Sequence, residues 1–324
     1  DWSSDVCSSD LLNLGSITAG TVRATSLNSG IVNTAGTINA TNLIVSAGSI
    51  FSPNDISLTA SGNLINNVTI LNANNFSLTA APLTGTTTAV TAGSATQSSR
   101  SVLGNFNVSV VGNNNLSVGT AGGGSFNNIG FSLSSTSVVP NTVTINAPGN
   151  ITVQNATSTG TGTVTINAPG QVTLGSGIVL NSSGAVTINA TGTSGRIVDS
   201  AANISVFGPL SLNSANDINI SKAGHSFGSV SLNSGTNAGF GTSSTSSTDI
   251  VFTEAGSLNL NQVAVNQSTF GLDGSFTAVS SGGSILQTAT TGTISIPRFT
   301  TTSTNSASFS AAGGVALSNP AGTN

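Results

Sequence analysis

Ionisable side chains, which carry most acid–base chemistry in proteins, are scarce in this chain. Only 4% of its 324 residues are charged, and it contains a single histidine. The densest group of such residues is Asp217, Lys222 and His225, beside a turn that we expect at 223–224. Acid–base chemistry on sugars needs two carboxylates, or a carboxylate with a basic residue, at one height on one face. Because no second carboxylate or histidine lies near this group in sequence, we interpret its members as solvated turn residues.

The other acidic residues are spread along the chain. After residue 11 the acidic residues are Asp55, Asp199, Asp217, Asp249, Glu254 and Asp273. Asp199 would reach the group around His225 only if neighbouring repeats stacked in a suitable register, and Arg196 could pair with Asp199 across a corner. Such a surface ion pair contributes roughly 0–1 kcal/mol and needs no functional explanation. The sequence therefore predicts no catalytic residue and no bound cofactor.

Metal ligands are also few. Calcium-binding solenoids carry a Gly-Gly-x-Gly-x-Asp nonapeptide. The nearest match, Gly122–Phe126 (Gly-Gly-Gly-Ser-Phe), lacks the aspartate and does not recur. Cys7 is the only cysteine, which excludes a disulfide framework and a thiolate zinc site. We predict no metal site.

The distribution of charge also limits the partners that this chain can bind. Its five basic residues lie too far apart to form a phosphate-binding stripe; they are Arg23, Arg100, Arg196, Lys222 and Arg298. No apolar run approaches the roughly 18 residues of a membrane-spanning helix. We therefore predict neither nucleic-acid binding nor membrane insertion. Ser, Thr and Asn replace the missing charges, and these residues favour strands and turns over helices.

The first eleven residues differ in composition from the rest of the chain. Residues 1–11 contain the only tryptophan, the only cysteine and three of the nine acidic residues. They resemble the conceptual translation of a sequencing-library adapter, so we interpret them as a non-native scar and base no prediction of the fold on them. Because the chain has no methionine, we expect residues 12–324 to be an internal fragment whose signal peptide or anchor would lie outside it.

Short segments recur along the chain at intervals of about twenty residues. A segment of the type Val-Thr-Ile-Asn-Ala-x-Gly occurs three times, offset by 21 and 22 residues, at Val143–Gly149, Val164–Gly170 and Val186–Gly192. Pairs of five-residue segments offset by 20 residues occur at 56–60 with 76–80 and at 210–214 with 230–234. Repetition at a fixed period is typical of solenoids, in which each coil shelters the apolar side of the next.

Each repeat alternates apolar and polar residues, which is the pattern of a strand. We expect an inward column formed by Val143, Val164 and Val186. An outward row of Asn146, Asn167 and Asn189 could form hydrogen bonds along the stack. The rival architecture, an antiparallel β-sandwich, needs longer strands than these repeats offer.

We therefore predict an all-β protein in which residues 12–324 form one continuous parallel β-solenoid with coils of about 20 residues. Three stretches rich in Ser, Thr and Gly interrupt the repeats, and we expect them to leave the coil as loops: 84–99, 157–162 and 241–249.

The repeats at 56–65 and 143–153 resemble those of filamentous-haemagglutinin-like adhesins and related β-strand-repeat exoproteins of Gram-negative bacteria. This resemblance implies a right-handed parallel β-helix and a role in adhesion or biofilm formation. It also implies two-partner secretion or an autotransporter route, with an outer-membrane transporter as the partner during export. The protein would then be secreted or held on the outer cell surface. Host-cell or surface glycans and proteins would be bound by modules outside this segment.

Three functions remain open at this point. The first is a non-catalytic structural stalk or adhesin segment. The second is a carbohydrate-active β-helix enzyme, since the same fold also supports polysaccharide cleavage. The third is an ice-binding solenoid, suggested by the Thr-Val-Thr segments at 142–144 and 163–165. Because Ala185–Thr187 (Ala-Val-Thr) breaks that array, and because no acid–base pair is visible, we expect the first.

Overall fold

The computed structural model shows a chain of short β-strands joined by turns. It describes residues 2–6, 11–49, 51–93, 102, 104–112, 114–122, 124–133, 141–235, 248–265, 275–287, 294–295, 306–311 and 315–317, and these contain no helix. The chain divides into two compact units, one of Asp1–Ile151 with Asn155–Thr163 and one of Thr152–Gln154 with Val164–Asn324. The fold is a parallel β-solenoid, which confirms the predicted class. The right-handed sense of the coil stays a prediction.

The first unit consists of two parallel sheets. Its first sheet contains, in spatial order, β1 (Trp2–Val6), β3 (Ile17–Ser26), β5 (Ile38–Ser49), β8 (Leu64–Asn72), β10 (Thr87–Ala92), β12 (Asn115–Thr120) and β14 (Thr142–Asn146). Its second sheet contains β2 (Leu12–Asn13), β4 (Ile31–Asn33), β7 (Ile56–Leu58), β9 (Phe76–Ala80), β11 (Asn105–Val110), β13 (Asn128–Leu133) and β16 (Thr157–Gly160). The short β6 (Ser52–Pro53) pairs antiparallel with the end of β5.

The second unit has a third column of strands. Its first sheet contains β17 (Thr163–Ala168), β20 (Val186–Ala190), β23 (Leu210–Ser214), β26 (Ser229–Ser234), β28 (Leu258–Val265), β30 (Ile285–Gln287) and β33 (Val315–Leu317), with β31 (Ile294–Ser295) also beside β28. Its second sheet contains β18 (Val172–Leu174), β21 (Ile197–Asp199), β24 (Ile218–Ile220), β27 (Ile250–Glu254), β29 (Ser275–Ser280) and β32 (Ser306–Ala311). The third column contains β19 (Val179–Ser182), β22 (Ser205–Val206) and β25 (Ser226–Phe227). Residues of β15 (Ile151–Val153) belong to both units.

Apolar residues at equivalent positions of successive coils stack in the core. In the second unit Val164 pairs in register with Val186, and Val186 pairs with Leu210. These side chains are almost completely buried, and each burial stabilises the fold by roughly 1.5–3 kcal/mol. In the first unit Val143 pairs with Leu116 in the same way. A coil cannot bury its inner face alone, so this stabilisation comes from contact with the neighbouring coils.

The coils average about 24 residues, longer than the predicted 20. Residues that pair in register are 22 positions apart for Asn167 and Asn189 but 30 apart for Val230 and Leu260. The hydrogen-bonded ladder fixes the strands, whereas surface corners accept extra residues at little cost. The repeats that match best in sequence therefore come from the shortest coils.

Strands occupy parts of two predicted loops, and for those parts the prediction is wrong. Residues 87–92 form β10, which pairs with β8 and β12, and residues 157–160 form β16, which pairs with β13. Thr suits a pleated strand, and small inward residues such as Ala92 and Ser158 are buried there. Residues 94–99 and 241–247 of the predicted loops lie outside the described residues.

The segment interpreted as a scar also contributes a strand. Trp2–Val6 pair in parallel with Val22–Ser26, so residues 2–6 extend the first sheet of the first unit by one strand. An exposed strand edge offers unpaired N–H and C=O groups to any extended segment. The pairing therefore does not test whether residues 1–11 are native, and their non-native origin stays a prediction.

Candidate functional site

His225, the only histidine of the chain, lies in the turn between β24 and β25 of the second unit. Its side chain is completely buried, so the prediction of a solvated turn residue is wrong. The stacking of turns explains this burial. Gly224 has a φ of 82°, and a Cβ at this position would collide with the amide of Asn203 in the preceding coil. Asn203 has a φ of 61°, a left-handed conformation in which Asn is enriched.

Both ring nitrogens of His225 have partners inside the fold. Nε2 lies 2.8 Å from Oδ2 of Asp199, and Nδ1 accepts the backbone N–H of Ile204 at 3.1 Å. Because a backbone N–H can only donate, Nδ1 carries no proton, and the ring donates from Nε2 to Asp199. The same carboxylate oxygen accepts the backbone N–H of Lys222 at 2.6 Å.

The pair of His225 and Asp199 is closed to a substrate in this conformation. The two side chains are 0% and 2% exposed, respectively, whereas a general acid or base must come within hydrogen-bond reach of the reacting group. Sequence reasoning grouped His225 with Asp217 instead. The true partners are 26 residues apart, and only the register of the coils brings them together.

Asp217 lies at the opposite end of β24, where it contacts Arg196. Nε of Arg196 lies 3.6 Å from Oδ2 of Asp217, and both side chains are partly exposed. The predicted pairing of Arg196 with Asp199 is therefore wrong. Oδ1 of Asp217 accepts the backbone N–H of Asp249 at 3.2 Å, although the two residues are 32 positions apart. The structure thus places two aspartates and an arginine in one column, which their spacing in the sequence concealed.

This column continues as hydrogen bonds between successive coils. Oδ1 of Asp249 accepts the backbone N–H of Ser275 at 2.7 Å. The first unit repeats the arrangement, because Oδ1 of Asp55 accepts the N–H of Asn75 at 3.1 Å and Oδ1 of Asn75 accepts the N–H of Asn105 at 2.8 Å. We call these two series, Asp217–Asp249–Ser275 and Asp55–Asn75–Asn105, the corner ladders. They supply acceptors to backbone N–H groups at the corners where strands begin.

Asparagines on the outer face of the second unit also bond along the stack, as the repeats predict for two of them. Nδ2 of Asn189 donates to Oδ1 of Asn167 at 2.8 Å, and Nδ2 of Asn213 donates to Oδ1 of Asn189 at 2.8 Å. We call these three residues the asparagine ladder. Each bond contributes about 0.5–1.5 kcal/mol net, and the ladder holds three coils in register.

Other asparagines point into the corners, and sequence reasoning missed them. Nδ2 of Asn72 donates to the carbonyl oxygens of residues 47, 48 and 49 at 3.0, 3.1 and 3.0 Å. Asn33, Asn63 and Asn216 are also buried and donate to carbonyl groups of neighbouring coils. Asn33 and Asn72 occupy inward positions of their strands. In these strands the alternation of apolar and polar residues requires an apolar residue at the inward position. An asparagine there was the signal that could have identified Asn33 and Asn72.

Glu254 ends β27 with a buried carboxylate. Its exposure is 2%, and burial raises the pKa of this carboxyl from 4.5 to about 7, although neighbouring backbone N–H groups oppose the rise. Oε2 accepts the N–H of Phe227 at 3.0 Å, and Oε1 accepts the N–H of Gly256 at 3.2 Å. Glu254 therefore titrates near neutral pH while it remains bonded within the fold.

Open grooves lie on the surface of the first unit. One of about 370 Å³ is lined by Leu11, Gly30, Val32, Pro53, Asn54, Asp55, Ser57 and Asn74. Another of about 270 Å³ is lined by Thr59, Ser77, Leu78, Thr79, Asn107, Val108, Ser109, Gly130, Phe131, Ser132 and Asn155. Asp55, the carboxylate among these residues, already accepts hydrogen bonds from Asn74 and Asn75.

The polar groups described so far mainly bond one coil of this chain to the next. No family model, curated protein or solved structure matches the chain. Within the described ranges, no three His, Cys, Asp or Glu side chains are grouped as ligands for a metal ion. The same ranges contain no helix with the length and apolar character needed to cross a membrane.

Proposed function

We propose that this chain is a non-catalytic structural segment, a stalk, of a large secreted bacterial surface protein. The observation that carries the proposal is the use of its polar side chains to join coils. The corner ladders, the asparagine ladder and the pair of His225 and Asp199 all bond one coil to another. A fold in which each coil stabilises its neighbours can be lengthened by adding coils, which suits a spacer.

The resemblance of the repeats to filamentous-haemagglutinin-like adhesins supports a location on the outer cell surface. We propose that the protein reaches this surface through an outer-membrane transporter. In this proposal the stalk presents other modules of the same protein, and those modules bind glycans or proteins on host cells or other surfaces.

Deletion of one coil tests the stalk proposal. Leu210 pairs in register with Val186 below it and with Val230 above it, so removing residues 210–229 lets Val186 stack directly on Val230. The deletion also removes Asp217, Lys222 and His225 together. A stalk tolerates the loss of a coil, whereas an enzyme or a binding module that used these residues would not.

The experiment uses the full-length protein displayed on cells. We expect the 210–229 deletion to leave surface display and adhesion unchanged. The control deletes residues 210–219, about half a coil, which shifts every later strand out of register and should prevent folding. Adhesion that is lost in the 210–229 deletion while surface display is retained would contradict the stalk proposal.

The column of Arg196, Asp217 and Asp249 favours a second candidate, a carbohydrate-active enzyme. A pair of carboxylates is the arrangement that most glycosidases use to cleave a glycosidic bond. Incubation of the purified chain with a panel of polysaccharides tests this candidate. Release of new sugar ends that is lost in both Asp217→Ala and Asp249→Ala would establish it and overturn the stalk proposal, which predicts no release.

The hydroxyl row beside the asparagine ladder gives little support to an ice-binding solenoid. Thr165 pairs in register with Thr187, but the next residues in this row are Ser211 and Ser231. In this row threonine therefore gives way to serine after two coils. Measurement of thermal hysteresis checks the point, and we expect none.

A further inference from the structure

The corner at His225 joins three successive coils of the second unit through the backbone. The N–H of Ser226 donates to the carbonyl oxygen of Ile204 in the preceding coil at 2.9 Å. The N–H of Ala255 in the following coil donates to the carbonyl oxygen of His225, also at 2.9 Å. A change at His225 therefore acts where the chain contacts both neighbouring coils.

Side chains close this corner from both sides. The carboxylate of Asp199 binds Nε2 of His225 from the preceding coil. On the other side the ring of Phe227 lies 5.5 Å from the imidazole and 5.0 Å from the ring of Phe252. The imidazole is thus enclosed by a carboxylate, a backbone N–H and an aromatic ring.

The bond between Ile204 and His225 requires a neutral imidazole. Nδ1 accepts the Ile204 N–H, and a second ring proton could be placed only on Nδ1, where it would face that N–H as one donor against another. Ile204 is 1% exposed, so its N–H cannot turn to water without movement of the chain. Protonation of His225 therefore removes the acceptor of a buried backbone donor, which is a costly loss.

The charged groups around this imidazole come from each coil that packs against it. Asp199 belongs to β21 of the preceding coil, the exposed Lys222 to the turn of the same coil, and Glu254 to β27 of the following coil. Asp217 and Asp249, the charged residues of the corner ladder in the second unit, lie at the opposite end of β24.

We propose that His225 is a proton-operated latch between coils. The latch is closed while the imidazole is neutral and accepts the N–H of Ile204. In acid, protonation of Nδ1 breaks this bond and loosens the turn at 199–204 from the turn at 222–227. The inference is independent of the stalk proposal, because it concerns how tightly two coils are joined and not what the segment binds.

Acid has the opposite effect at Glu254, where it stabilises the fold. This contribution must be separated from that of His225. Burial raises its pKa to about 7, so acid neutralises a buried carboxylate and favours the fold on that side of the corner. Glu254→Gln removes this titration and, like the protonated acid, keeps one oxygen that can only accept in place of two. The effect of His225 is therefore measured most cleanly in the Glu254→Gln background.

Amide hydrogen exchange on the full chain tests the latch. The protection factor of the Ile204 N–H is measured at pH 7.5 and at pH 5, on either side of the range in which histidine ordinarily titrates. We expect it to fall about five- to tenfold in acid, as loss of one hydrogen bond implies, both in the wild type and in Glu254→Gln. Protection of Leu212, in β23, should not change.

His225→Asn is the matched variant, because its amide can still accept a hydrogen bond but cannot become charged. We expect the acid-induced fall at Ile204 to disappear in this variant. A fall of the same size in His225→Asn, or constant protection in the wild type and in Glu254→Gln, would overturn the proposal.

If His225→Asn does not fold, the ring nitrogens of the wild type give the second readout. Their NMR shifts should show an unprotonated Nδ1 at pH 7.5 and a protonated ring under the conditions in which Ile204 loses protection. A protonated ring with full protection at Ile204 would contradict the latch.

Discussion

Nδ2 of Asn189 lies 2.8 Å from Oδ1 of Asn167, and the same bond recurs between Asn213 and Asn189. A side-chain amide can donate to one coil and accept from the next, which neither a carboxylate nor an aliphatic side chain can do. The register of these coils is therefore specified by side chains on the outer face as well as by the apolar core.

Asn189→Asp is expected to lower the free energy of unfolding by about 1–2 kcal/mol. The carboxylate can still accept from Asn213, but it cannot donate to Asn167 and instead sets two acceptors against each other. Urea unfolding followed by circular dichroism measures the change. Asn219→Asp, at an exposed position of β24, is the matched control and should cost less than about 0.5 kcal/mol. Equal costs for the two variants would show that the ladder contributes nothing.

Glu254→Gln is expected to change how stability depends on pH. Because the pKa of Glu254 is about 7 in the fold and ordinarily 4.5, the folded state holds this proton more tightly than the unfolded state. The resulting stabilisation is complete below pH 4.5 and is lost as the pH rises to 7. We expect the wild type to lose on the order of 1–2 kcal/mol relative to Glu254→Gln over this range, after allowance for solvent screening. Chemical unfolding at several pH values measures this difference, and a difference that stays constant would contradict the account.

Val186→Ala is expected to destabilise the second unit more than Val179→Ala. Val186 is 1% exposed within its column, whereas Val179 is 38% exposed. Loss of two buried methyl groups costs about 1.5 kcal/mol in transfer energy, and the cavity adds to that cost. Thermal and urea unfolding of the two variants compare the positions directly. Similar costs would mean that Val186 is not a core residue.

Asn72→Ala is expected to loosen the excursion that carries Phe51. Its amide binds three consecutive carbonyl groups at 47–49, and Phe51 beyond them is 91% exposed. Without the amide, cleavage after Phe51 by chymotrypsin should become faster, because proteolysis follows local opening. Asn66→Ala, which removes only two solvent-exposed bonds to Thr84, should leave the rate unchanged.

The strands and their inward columns were predictable because their signal is local. Alternation in Val164–Ala168 identifies a strand, and its recurrence at Val186–Ala190 identifies the partner that lies in register with it. The bond between Asn167 and Asn189 follows from the same repetition.

The partners of His225 and Asp217 were not predictable, because they depend on the lengths of the corners. His225 meets Asp199 across 26 residues and Asp217 meets Asp249 across 32. No pattern in the sequence fixes how many residues each corner absorbs. If the predicted coil length is wrong by a few residues, the prediction therefore misses a contact between corners. It still finds a contact between matching strand segments.

Cysteine cross-linking tests the in-register stacking of coils most directly. Thr165 and Thr187 are direct partners on the outer face, and Ser211 is the next partner along. In a Cys7→Ser background, T165C/T187C should form a disulfide under mild oxidation, because adjacent parallel strands lie about 4.8 Å apart. T165C/S211C, separated by two strand spacings and beyond the reach of a disulfide, should not. A disulfide in T165C/S211C but not in T165C/T187C, or in neither, would contradict the stacked coils on which the proposed stalk depends.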